Sequence, residues 1–484
     1  MKKGMVAMLV ICLLLALAGC YGKAPAAAEV GVKIQLSDTQ ITVDGAAVSD
    51  NPTQAVYAAN DIVYYESGKD FTYGEGTQAD AHSPEEAAAH TVVHITKPGR
   101  YVLSGELSQG QVAVDLGQDA KKDPSAVVTL VLDGVDITCT VAPAVIFYNV
   151  YECGDKDVSS PKVDTSRAGA NVEIADGTVN NIAGSYVARI YKPETVELNE
   201  AGTEVEDAKK LHKYDAAFYS KMTMNVAGDT GVLNITAANE GLDTEMHLTI
   251  NGGHINILSG NDGINTNEDG VSVTAIHGGM VNIRVDGATG EGDGVDSNGY
   301  LVIDGGTVIA QACGFSMDSG IDSDLGIHIN GGTVIATGNM LDQISGTQTH
   351  GVYQLRGNGG AEVVLKDTAG RVLVQEEVQN DFSCLVISTP DMKEGEYTLW
   401  LDGVQQQATA GGNMGGMGFG GMMPPQGMDR PPEDFQRPED GGFGGFPQRP
   451  EGGEGFGEFP QMPEGMEPPA NMPQMPQGMD RPSR

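Results

Sequence analysis

Apolar residues recur two apart in short runs through the middle of this chain, as in Leu248-Thr-Ile250, Leu301-Val-Ile303 and Ile327-His-Ile329. A second set follows: Ile255-Asn-Ile257, Val281-Asn-Ile283-Arg-Val285, Val308-Ile-Ala310 and Val334-Ile-Ala336. Period two is the signature of a β-strand with one buried face. Between the two sets lie glycine pairs at 252–253, 278–279, 305–306 and 331–332, so the pattern steps by 26, 27 and 26 residues. Asn251, His277, Asp304 and Asn330 precede the pairs, as turn formers should. A repeat of this length means stacked units rather than one globular core. Two or three short strands per step, stacked in register, predict an all-β fold: a right-handed parallel β-helix over residues 33–349.

Gly99-Arg-Tyr-Val-Leu-Ser-Gly105, Val127–Ile137 and Asn171–Asn180 read as earlier, less regular coils. Polar insertions fall near 151–168 and 192–213. Ser83-Pro-Glu-Glu reads as the capped start of a short helix, with proline and acids in its first turn. Residues 350–405 lose the repeat. Ala361–Leu365 and Gly395–Leu401 look like strands of a small C-terminal β cap, which a stacked solenoid needs to blunt its open edge.

The repeat also carries an acidic phrase. It is written Glu240-Gly-Leu-Asp-Thr-Glu245, Asp262-Gly-Ile-Asn-Thr-Asn267, Asp293-Gly-Val-Asp-Ser-Asn298 and Ser319-Gly-Ile-Asp-Ser-Asp324. Stacking predicts one column of Glu240, Asp262, Asp293 and Ser319, a second of Asp243, Asn265, Asp296 and Asp322, and a third of Glu245, Asn267, Asn298 and Asp324. In the fourth coil the acid of the first column shifts to Asp318. Carboxylates about 4.8 Å apart repel unless a cation lies between them. Calcium accepts six to eight oxygens at about 2.3–2.6 Å in flexible geometry and suits such columns better than magnesium. The candidate ligands are Glu240, Asp243, Asp262, Asn265, Asp293, Asp296, Asp318 and Asp322. Asp-Gly and Asn-Gly also form ordinary turns; it is the recurrence of acids at the same two offsets that points to a metal.

The ends of the chain add a location. Lys2 and Lys3, an apolar core from Met5 to Leu17 and the ending Leu17-Ala-Gly-Cys20 read as an export signal over residues 1–19. The ending resembles a bacterial lipobox, which implies cleavage before Cys20 and a lipid on Cys20. A linker (20–32) then joins the anchor to the coils, on the extracellular face of the membrane. Residues 406–484 turn to Gly, Pro, Met and acid, with Gln426-Gly-Met-Asp-Arg-Pro431 recurring at 477–482. Such a tail buries too little apolar area to offset its ordering entropy and is expected to be disordered. A formal charge of −38 argues against a nucleic-acid partner. After processing, Cys139, Cys153, Cys313 and Cys384 remain, and an oxidising exterior permits a disulfide, Cys139–Cys153 being the candidate. Cys139 and Cys153 are the one pair close in sequence, and no spacing suggests zinc.

The ordered set of Gly99–Gly105, Leu130-Val-Leu-Asp-Gly-Val-Asp-Ile137 and the glycine and acidic coils resembles the clostridial cell-surface carbohydrate-binding β-helix family, related in fold to pectate lyases. The resemblance covers roughly residues 33–400. It implies a calcium-binding β-helix whose partner is plant cell-wall polysaccharide, including acidic, pectin-like sugars.

Calcium in such folds also serves lyases, where a nearby Lys or Arg removes a proton. Between Thr223 and Met340 there is no lysine, and Arg284 is the single arginine. Period two turns Arg284 outward, in the column of Leu258, Gln311 and Thr337, as a solvated or sugar-contacting residue; it is the weak candidate for catalysis. His247, His254, His277 and His328 lie at scattered offsets. Tyr300 and Phe315 are the aromatic residues of the stretch, and Trp400 falls in the cap, so stacking on neutral cellulose looks weak. The expectation is a non-catalytic binder of acidic polysaccharide, with a lyase or an adhesive surface protein as alternatives.

Overall fold

The computed structural model describes residues 31–154, 160–393 and 395–406. The export signal, Cys20 and most of the tail lie outside these residues. Within them the chain is all-β, apart from one α-helix, Pro84–Ala88, and two short 3-10 turns. Ser83 caps that helix, its side chain accepting from the Glu86 amide at 3.1 Å.

Each repeat contributes three strands, and each strand pairs in parallel with its equivalent in the next repeat. The first ladder runs through Ala216–Ser220, Glu240–Thr244, Ile264–Thr266 and Val295–Ser297. The second runs through Met224–Gly228, Leu248–Ile250, Val273–Ile276, Tyr300–Ile303, Gly326–Ile329 and Ile344–Ser345. The third runs through Val232–Ala237, His254–Ser259, Met280–Val285, Thr307–Gln311 and Thr333–Gly338. Upstream, Thr91–Ile95, Gly110–Asp115 and Val145–Asn149 extend the first ladder. Leu242, Ile264, Val295 and Ile321 from the first ladder are buried in one core with Ile255, Val281, Val308 and Val334 from the third.

The two kinds of glycine have different work. Gly253, Gly279, Gly306 and Gly332 sit at the corner with φ of 92°, 81°, 78° and 80°. A Cβ on Gly279 would also stand 2.4 Å from the Gly253 carbonyl oxygen, so the column admits no side chain. The glycine of the acidic phrase is required by contact instead. A Cβ on Gly263 would lie 2.1 Å from the Ile283 side chain, across the core.

The C-terminal strands do more than blunt an end. Phe382–Ser388 pairs antiparallel with Thr333–Gly338, the last strand of the third ladder. The antiparallel sheet that includes Ala361–Asp367 and Val372–Val378 packs Val363, Leu365 and Val374 with Ile309 and Ile335. Those two isoleucines stand where period two points outward, which explains the Val-Ile-Ala runs in strands otherwise alternating with polar residues.

This covering corrects the expectation for Arg284. It does share a column with Leu258, Gln311 and Thr337. It is only partly exposed, however, and its Nε donates to the Asn380 side-chain oxygen at 3.1 Å. Asn380 is itself fixed by donating to the Val285 and Ala312 carbonyls at 2.6 and 2.8 Å. The 192–213 insertion is also ordered. Val187–Tyr191 pairs antiparallel with Lys210–Tyr214, and Glu197–Leu198 with Val205–Asp207. All four cysteines of the described residues are free, Cys139 and Cys153 included.

Candidate metal centre

The strand register places the acidic phrases in columns. Asp243, Asn265 and Asp296 are direct neighbours in the first ladder, and the Val295–Ile321 bridge carries the row on to Asp322. The same register sets Glu240 beside Asp262, then Asp293, then Ser319. Strand spacing puts adjacent members about 4.8 Å apart.

Hydrogen bonds within the columns satisfy only part of this oxygen. Asn267 Nδ2 donates to Asp243 Oδ1 at 2.8 Å, and Asn265 Nδ2 to Glu240 Oε1 at 3.3 Å. The Asp293 amide donates to Asp262 Oδ1 at 2.7 Å, and the Ser319 amide to Asp293 Oδ1 at 2.5 Å. Glu240 Oε2, Asp243 Oδ2, Asn265 Oδ1, Asp322 Oδ1 and Ser319 Oγ are buried with no protein hydrogen-bond partner. All five belong to the first two columns. Unpartnered buried oxygens are costly, and a cation would relieve them.

One group is tighter than the columns. Carboxylate oxygens of Asp215, Glu240 and Asp243 lie within 4.8 Å of one another, and all three residues are buried. Asp215 stands two residues past the 192–213 insertion and directly precedes Ala216, the register partner of Glu240. Sequence reasoning missed it, because its coil reads Asp215-Ala-Ala-Phe and lacks the phrase glycine. Its position 25 residues before Glu240, close to the repeat length, was the available signal. Lys213 from the same insertion places Nζ 2.6 Å from Asp215 Oδ2. A lysine-free repeat therefore acquires a lysine from outside the repeat.

Electrostatics follow from this crowding. Burial, then Asp243, Asp215 and Asp262, push the Glu240 carboxyl well above the usual carboxylate range, with Lys213 opposing. Burial, then Glu245 and Asp215, do the same for Asp243. Asp215 is raised by burial against the pull of Lys213. Burial works against the Lys213 ammonium, yet Asp215 prevails and its pKa is raised. The two partners thus shift in the same direction, because one lysine cannot neutralise three buried acids. Asp262 is raised by burial and then Asp296, and Asp293 by burial and then Asp262. Burial and Asp324 push Asp296 to about 6. Burial and Asp342 push Asp322 to about 7. Asp342, outside the phrases, is a second acid that the repeat did not reveal.

Asp318 falls outside the register columns, although its charge is near enough to raise Asp262 and Asp296. Its Oδ2 accepts from the Gly292 amide at 2.6 Å and from the Ser316 hydroxyl, which makes it a turn brace in this structure. Seven of the eight expected ligands thus line two adjacent columns. With Asp215 added they form an all-oxygen donor set of carboxylate and amide groups. That set fits a hard cation such as calcium.

The aromatic residues scarce in the repeat gather upstream along the first ladder. Tyr57 stacks on His94 at 4.4 Å, Tyr148 meets Tyr214 edge to face at 5.5 Å, and Tyr214 and Tyr219 are tilted at 5.4 Å.

Comparison with known proteins adds the family. The solved polysaccharide lyase-like protein from C. thermocellum, in its gadolinium derivative, is a structural neighbour at TM-score 0.36 and 20% identity, covering 66% of this chain and 97% of that one. A carbohydrate-binding domain-containing protein from Acetivibrio thermocellus is 32% identical over 166 residues, which is 34% of this chain and 44% of the relative. The match therefore spans less than half of the relative's length. The family described as carbohydrate-binding domain-containing protein matches residues 89–363, more than half of the chain, and this chain belongs to that family.

Proposed function

We propose that this chain is a lipid-anchored surface protein that captures acidic, pectin-like polysaccharide on a calcium-bearing face of a right-handed parallel β-helix, without cleaving it. Family membership supports carbohydrate binding. Three parallel ladders, each advanced one strand per repeat, support the β-helix, and parallel crossovers are overwhelmingly right-handed. The single observation that carries the calcium reading is the set of buried, unpartnered oxygens on Glu240, Asp243, Asn265 and Asp322. When bound, calcium would supply positive charge that both relieves these acids and attracts a sugar carboxylate. The chain's own contribution is to fix the oxygens on adjacent coils, so little ordering is left for binding.

Two observations support binding over cleavage. Lys213, the cation beside the acids, is held by Asp215 with its proton retained, which makes it a poor base. Arg284 is turned to Asn380. Proximity of Lys213 to the acids is also the one feature that favours a lyase as the second reading.

Calorimetry of polygalacturonate with the calcium-loaded protein and after chelation tests the proposal. Strong binding that disappears on chelation and returns with calcium supports it, and equal binding in both states rules out the calcium role. Growth of ultraviolet absorbance from unsaturated products, lost in Lys213→Met, would establish the lyase instead.

A further inference from the structure

The face that carries the acid columns changes sign along its length. In one row of the first ladder, the register sets Tyr148 beside Lys221 and Lys221 beside Glu245, followed by Asn267 and Asn298. The acidic end therefore begins one strand spacing, about 4.8 Å, from Lys221. Lys221 Nζ stands 5.1 Å from the centroid of the Tyr214 ring. Tyr214 packs in turn on Tyr148 at 5.5 Å, and Tyr148 and Lys221 both remain partly exposed.

No ion pair involves Lys221 among the described residues. Its two acidic neighbours are already engaged. Glu245 accepts from the Tyr219 hydroxyl. Asp115 accepts from Asn149 Nδ2 at 2.8 Å and from the Gly117 amide at 2.9 Å. Burial first, and then Lys121 and Lys192, loosen the hold of Lys221 on its proton, while Glu245 and Asp115 tighten it. Lys121 and Lys192 therefore act on Lys221 as like charges, in a chain whose formal charge is −38. A protein so acidic repels a polyanion at long range, and only local positive charge can seat one.

We propose that Lys221, flanked by Lys121 and Lys192 and floored by Tyr148 and Tyr214, is an anion subsite that takes a sugar carboxylate of a polyuronate chain extending onto the neighbouring acid columns. The ammonium meets the carboxylate, the partly exposed Tyr148 ring offers an amphipathic surface to the sugar, and Tyr214, buried beneath, supports the Lys221 side chain. This inference rests on the acidic-polysaccharide reading above. It adds a metal-independent contact to it.

The test is titration of the full-length processed protein, in calcium buffer at low and high salt, with oligogalacturonate and with its carboxyl-reduced neutral counterpart. Lys221→Met keeps an apolar stem over Tyr214 and removes the charge. It is expected to weaken oligogalacturonate binding about tenfold at low salt, the worth of one charge-assisted hydrogen bond. Binding of the neutral oligomer should stay unchanged, and Lys221→Arg should restore most of the loss. If Lys221→Met lowers the melting temperature, Lys192→Met is the second variant, with a smaller loss of the same sign. Wild-type binding to oligogalacturonate with both methionine variants unaffected overturns the subsite and leaves the calcium reading standing. No oligogalacturonate binding by the wild type overturns both. Inorganic sulfate is the control for a free anion. Sulfate that binds the wild type more tightly than oligogalacturonate does, and is lost in Lys221→Met, overturns the sugar assignment.

Discussion

Asp243 has no exposed surface, and one of its carboxylate oxygens has no protein donor. Removing its charge separates repulsion from ligation. In chelator, Asp243→Asn should leave the melting temperature equal to or above wild type, because a buried like charge is gone. With calcium at about one hundred times its dissociation constant, the wild type should gain about 2–3 kcal/mol, and the variant should lose most of that gain. Calorimetric melts across a calcium series measure both. The pH response has an unusual sign. Asp296 and Asp322 titrate at about 6 and about 7 against an ordinary 3.8. The folded, metal-free chain therefore binds more protons than the unfolded chain between those values. Their contribution is fully present below pH ~4 and is lost as pH rises through 6 to 7, the reverse of a salt-bridged carboxylate. Melts in chelator should show the stability falling from pH 5 to pH 8, and calcium should abolish the fall.

The corner glycines and the closing strand fix how the coils stack. Gly279→Ala forces a Cβ to within 2.4 Å of the Gly253 carbonyl oxygen at a φ of 81°. A cost of about 1–3 kcal/mol or more is expected, with lost calcium affinity, since the columns depend on coil spacing. Denaturant melts and calcium titration report it. Phe382–Ser388 covers the edge of the third ladder. Val386→Pro removes a ladder donor from that strand and re-exposes the edge. The expected result is concentration-dependent association, read by light scattering. The strands of the repeat were legible in the sequence because period two and the glycine step repeat four times. The layer over Ile309, Ile335 and Arg284 was not, because its contacts join the third ladder to residues 350–401 without any shared period.

For the molecule as a whole, a formal charge of −38 makes ionic conditions part of the behaviour, and the proposed export signal over residues 1–19 makes location testable. Cys20→Ser should release the protein from the membrane fraction into the medium, and fractionation with immunoblotting measures it. Family membership places the chain among carbohydrate-binding domains, as the ordered motifs implied.

The linear pattern was enough to define the repeat and the columns in which seven of the eight candidate residues stand. A step of 26 or 27 residues forces equivalent positions into neighbouring strands, whatever else the chain does. Neutralisation of those columns is a different matter. Lys213 arrives from an insertion that obeys no period, Asp215 follows it without the phrase that marks the later repeats, and Lys121 and Lys192 act on Lys221 from outside the repeat. Electrostatic interaction depends on distance in space and on burial, and neither is written in sequence spacing once a chain folds back on itself. Tertiary structure therefore decided which buried acids remain uncompensated.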